Sequence, residues 1–155
     1  TEIVKENSPN AIMMASIIIA AGMFLGVLNG TGMLQAIAVS IVEILPESVL
    51  PYIYIIVGVL GLPFDLITST DAYYFALLPI ILEITTPLNI SPNSVVYSLA
   101  IGNNFGAMIS PLAPSTWLGI GLAGVSIGSH IRYSFFPMWM FSIVLLTVAY
   151  FIGLI

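Results

Sequence analysis

The chain has 155 residues, 59% of them hydrophobic and only 6% charged, with a net charge of −5 and no cysteine. A soluble domain carries about 25% charged residues, so this composition excludes a water-covered surface and points to a bilayer. Two basic side chains offer no phosphate-binding surface for nucleic acid, and without cysteine there is no disulfide, thiolate metal site or cysteine nucleophile.

Residues 1–10 are polar and read as a lead-in, with Glu2, Lys5 and Glu6 clustered there. They lack the basic region and cleavage site of a signal peptide, and Thr1 in place of Met is expected of a chain that begins inside a longer protein. Ser8-Pro9-Asn10 is a helix-start pattern. From Ala11 to about Leu28 the chain is apolar, with Ala20, Ala21, Gly22 and Gly26 spaced for close helix contact, which predicts a spanning helix. Asn29 to Gly32 breaks it. Met33 to Leu45, carrying Gln35 and Glu43, is too short to span and reads as an arm helix along the interface. These two elements make a unit over 11–45.

The remainder, 46–155, is expected to form half of a transport domain. Val49 to Phe64 and Ala72 to Ile84 are apolar arms around the polar stretch Asp65 to Asp71. Each arm falls short of the about 20 residues of a full span, so 48–84 predicts a re-entrant helical hairpin. A non-helical tip at membrane depth is tolerated only where protein or a water-filled cavity satisfies its backbone. Ser94 to Met108 and Trp117 to Ile127 flank Ser110-Pro111-Leu112-Ala113-Pro114-Ser115-Thr116, whose two prolines cannot sit in an unbroken helix. Residues 93–127 thus predict one spanning helix broken in the middle. Gly128 to Tyr133 reads as a polar turn, and 134–155 as the last transmembrane helix. Lys5, His130 and Arg132 then fall on one side, expected to be cytoplasmic, with Arg132 a topology anchor and His130 a loop or interface residue. The fold class is an all-α, multi-pass membrane protein.

A polar hairpin tip beside an interrupted helix is how secondary transporters build a midplane site, with half-helix ends turned to anionic substrate and coupling ion. Asp71 is the sharpest candidate, since a carboxylate at membrane depth is costly and functional by default. Burial there would suit proton uptake; metal coordination is the tentative second role, and an N-cap at Ala72–Ile84 is the structural one. Ser69, Thr70, Ser110, Ser115 and Thr116 are the hydroxyl candidates for substrate or ion binding, and Asn103 and Asn104 the amide candidates. Asp65 reads as a capping or loop residue nearer the water. An intramembrane aspartyl protease would need two aspartates on separate facing helices, whereas Asp65 and Asp71 flank a single tip.

Thr31-Gly32-Met33-Leu34, Asp71-Ala72-Tyr73-Tyr74-Phe75 with Leu78-Pro79, and Ser110 to Thr116 followed by Gly121-Leu122-Ala123-Gly124-Val125 resemble the citrate–divalent-metal:proton symporter family. The resemblance runs from Ala11 onward. It implies an elevator carrier in the cell membrane, homodimeric at full length, in which this chain is the second of two inverted repeats. The missing N-terminal repeat would be its partner, and the fragment alone would be inactive. It implies proton-coupled symport of a citrate-like organic anion with Mg2+ or Ca2+ as co-transported cargo, no resident cofactor and no enzymatic activity. It also places the hairpin signature on Ser69, Thr70 and Asp71, where an acid favours proton or metal-complex chemistry. A same-fold carrier of gluconate, lactate or a dicarboxylate, and a non-transporting membrane subunit, are the alternatives.

Overall fold

A computed structural model describes residues 2–155; the side chains of residues 2–7, 9–11, 13, 14, 17 and 114 lie outside the description. Helices and turns account for the described residues, with no strand among them.

Helix α1 runs Glu2–Gly30 and therefore takes in the stretch expected as a polar lead-in. Thr31-Gly32 turns the chain into α2, Met33–Ile44, and Gly32 holds φ 72°, a left-handed conformation that a side chain would strain. The Ile18–Gly30 part of α1 meets α2 at 70°. Gly22 and Gly26, in the small-residue stripe expected to seat another helix, face open space among the described residues.

The hairpin begins with a 3-10 turn at Leu50–Tyr52 and continues as α3, Ile53–Val59, and α4, Gly61–Ile67. A 60° bend separates the two. Its cause is Pro63, which has no N–H to return to the carbonyl of Val59 four residues back. That carbonyl is instead taken by the Trp139 indole N–H at 2.7 Å. The chain extends through Thr68-Ser69 and turns back as the single helical turn α5, Thr70–Ala72, a π-turn at Tyr73–Leu77 and α6, Leu78–Thr85. The arms pack on each other as an antiparallel hairpin, and the Tyr73 hydroxyl crosses between them to the Val57 carbonyl at 3.0 Å.

Helix α7, Pro92–Asn103, lies along the first hairpin arm at backbone contact. A Cβ on Gly102 would stand 1.8 Å from the Gly58 carbonyl oxygen, and one on Gly61 would stand 2.8 Å from the Asn103 nitrogen. Small residues at this crossing let two main chains touch, as membrane helix pairs do. Ser98 adds a hydroxyl bond to the Tyr54 carbonyl at 3.0 Å. Val95, Leu99 and Leu62 are fully buried here, and with Tyr73, Ile81 and Ile84 they form the core.

The first half of the broken helix ends at Asn103, earlier than the expected Met108. The interruption spans residues 104–113, with a 3-10 turn at Gly106–Met108, and the second half is α8, Pro114–Ala123. Asn103 and Asn104 therefore sit at the mouth of the break rather than midway along a helix. Gly124, at φ 65°, stops α8. The last helix, α9, covers Ile127–Phe151 and absorbs the expected polar turn, because Ser126 caps it by accepting from the Ser129 N–H at 3.3 Å. Among the described residues α9 alone is long and apolar enough to cross a membrane, or three spans result if each bent pair is counted as one. Outside the hairpin and α7, large apolar side chains such as Phe24, Leu118, Leu122 and Phe136 stand exposed, a surface suited to lipid or to further protein rather than to water.

Candidate functional site

The hairpin tip and the helix break come together. Ser69, Thr70 and Asp71 from the tip, with Ser110, Leu112 and Ala113 from the break, line one cleft of about 190 Å³. The tip can be extended there because its polar groups are satisfied locally. The Ser69 hydroxyl accepts the Ala72 N–H at 3.1 Å, so Ser69, and not Asp71, caps the returning helix. The Thr68 hydroxyl returns to the Phe64 carbonyl at 2.9 Å.

Ser110 joins the two halves. Its hydroxyl donates to the Asp65 carbonyl, one of the acceptors that α4 leaves open at its end, and accepts the Leu112 N–H at 3.2 Å. One side chain thus serves both interruptions. Asp71 is exposed on the cleft, contrary to the burial expected of it.

The buried carboxylate is Asp65, at 0% exposure, and not at the water as its neighbourhood in sequence suggested. The Thr70 hydroxyl lies 3.2 and 3.1 Å from its two oxygens, and the Asn103 amide lies beside it. Gly106 in the break backs directly onto it: a Cβ there would come 2.6 Å from the Asp65 Cβ and 2.8 Å from Oδ2. Asn103, likewise at 0% exposure, sends Nδ2 toward the Gly61 carbonyl at 3.5 Å, while its Oδ1 has no partner. Asp65 is the functional candidate that residue-by-residue reading missed. The signal was present, since Gly58, Gly61, Leu62 and Asp65 repeat at helical spacing and all four are buried.

Not every candidate joins this cleft. Ser115 and Thr116 line a separate, larger cavity of about 380 Å³ with Met108, Ile120 and His130. The Thr116 hydroxyl donates to the Ala107 carbonyl at 3.2 Å and the Trp117 indole to the Pro111 carbonyl at 2.8 Å, so both pin the break to α8. His130 holds the Met108 carbonyl at 3.2 Å from the first turns of α9. Asn104 points to the exposed side. No group of three or more His, Asp or Glu side chains among the described residues is placed to hold a metal ion.

This chain is 35% identical over 152 residues to a citrate transporter of Bacillus subtilis (strain 168), covering 98% of the chain and 35% of that protein. The chain is homologous to bacterial citrate transporters. It is also 35% identical over 149 residues to the Mg(2+)/citrate complex secondary transporter of the same organism, covering 96% of the chain and 34% of the relative. An uncharacterized transporter from that organism shares 35% identity over 133 residues, 86% of the chain and 30% of its own length. The chain thus spans about a third of the length of the curated relatives it matches. No family model matches the chain, and no solved structure matches it. The resemblance to the citrate–metal symporter family is borne out by relatives that align along nearly the whole chain, and all three are named as transporters, not enzymes.

Proposed function

We propose that this chain is part of a secondary active transporter that carries citrate, as its complex with a divalent metal such as Mg2+ or Ca2+, in symport with protons. The observation that supports the reading most is the single cleft in which hairpin tip and helix break meet, found in a chain homologous to citrate carriers. Ser69, Thr70 and Ser110 offer hydroxyls to the carboxylates of the anion, and Asp71 offers a charge to the metal it brings with it. α8 aims its N-terminal end at the break, where the helix dipole favours negative charge. The hairpin is re-entrant in this reading, and tip, break and α9 move together across the bilayer as an elevator. The other inverted repeat completes the site, in a homodimer embedded in the cell membrane.

The test is uptake of labelled citrate by full-length protein in proteoliposomes, with and without magnesium, under an inward proton gradient. Uptake that requires both metal and gradient is expected. Transport of another carboxylate in its place would keep the carrier and discard citrate; no anion uptake at all would sink the transporter reading.

A further inference from the structure

We propose that Asp65 is the residue that takes up and releases the coupled proton, with the Thr70 hydroxyl as its switching partner. The inference rests on the transporter reading for its purpose, but its geometry stands apart from the choice of cargo. Asp65 is fully buried where the hairpin tip, the end of α7 and the break converge. Among the described residues its hydrogen-bond partner is the neutral Thr70 hydroxyl, with the neutral Asn103 amide beside it. A carboxylate removed from water among neutral partners is costly, and binding a proton removes that cost. Among the described residues, the titratable groups near enough to act on it are the Tyr73 and Tyr74 phenols from the opposite arm, which add no positive charge. Asp71 lies beyond Thr70 on the open side of the tip.

The Thr70 hydroxyl fits both protonation states by turning its hydrogen alone. A hydroxyl is donor and acceptor at once, so Thr70, at 3.1–3.2 Å from both carboxyl oxygens, can donate to the carboxylate or accept from the acid. Asn103 adds a buried oxygen with no partner, a second acceptor available to the acid once the amide turns. Thr70 also lines the cleft, so its hydroxyl links the buried carboxylate to the entry side. The proton arrives from water in the cleft, forms the O–H bond on Asp65, and returns to water when the tip opens to the other side. No other bond changes.

The test uses the full-length protein with Asp65→Asn, Asp65→Glu and Thr70→Val. Asp65→Asn is expected to abolish citrate accumulation driven by a proton gradient while citrate–citrate exchange across the membrane persists. Asp65→Glu is expected to retain driven uptake with a displaced pH profile, and Thr70→Val to displace it as well. Infrared difference spectra across a pH titration supply a readout independent of cargo: a protonated-carboxyl band present in the wild type and absent in Asp65→Asn. Driven accumulation by Asp65→Asn would overturn the proposal, as would loss of exchange in both Asp65 variants of folded protein, or an unchanged band. A band assigned to Asp65 in a protein that moves no citrate would leave this proposal standing and discard the cargo.

Discussion

The Trp139 indole donates at 2.7 Å to the Val59 carbonyl, the acceptor that Pro63 leaves without a helical donor. A proline kink in one element is thereby closed by a side chain from α9, eighty residues later in the sequence. Trp139→Phe keeps most of the ring volume but removes the donor. It should destabilise the protein by about 1–3 kcal/mol, read as a lower unfolding midpoint in detergent. In the Pro63→Ala background, where the helix supplies its own N–H, the same change should cost less. Equal costs in the two backgrounds would refute the pairing.

The crossing of the hairpin on α7 tolerates no side chain. Gly102→Ala would place a methyl 1.8 Å from the Gly58 carbonyl oxygen, forcing two backbones apart at a cost of about 3 kcal/mol or more. Gly22→Ala meets nothing within 4 Å and should be neutral or slightly stabilising through helix propensity. Comparing yield and melting of the two variants checks the contact, and a well-folded Gly102→Ala protein would contradict it.

Ser110 and Ser115 looked alike as hydroxyl candidates, but only the first bridges the two interruptions. Ser110→Ala strands the Asp65 carbonyl and the Leu112 N–H. A loss of about 1–3 kcal/mol in stability and a clear fall in transport are expected. Ser115→Ala, in the other cavity, should transport nearly as the wild type does. Equal losses in uptake would show that the cleft is drawn too narrowly.

Asp71, exposed and engaged in no helix cap, should be removable without harm to folding. Asp71→Asn is expected to leave stability within about 0.5 kcal/mol and to raise the half-saturating concentration of the metal–citrate complex. Unchanged apparent affinity, measured at saturating magnesium, would remove Asp71 from the substrate's surroundings.

Much of the architecture was legible because apolar runs are interrupted by polar residues that lipid would not tolerate. The tip at Thr68-Ser69 and the break around Pro111 both follow from that rule. The helix ends were less legible. α7 stops at Asn103 because Gly102 is held against Gly58 and Gly106 must clear the Asp65 carboxylate, and both are contacts between segments far apart in sequence. α9 begins seven residues before the expected Ser134, since a single capping serine outweighs a polar stretch that reads as a turn. The two aspartates exchanged places for a similar reason. Asp65 borders the polar tip in sequence, but one helical turn back it faces α7, whereas Asp71 turns outward with α5.

Hydrogen bonds tie α9 to three places: Trp139 to the hairpin bend, Ser142 to the Gly102 carbonyl at 3.2 Å, and His130 to the Met108 carbonyl in the break. The last helix is therefore a ruler fixed to the hairpin, the first half of the broken helix and the break. On the elevator reading proposed above, a spin label on its outer face should keep one constant distance to a label on the first hairpin arm in every state of the cycle. Its distance to a label on α1 should take two values, and their difference would give the length of the stroke.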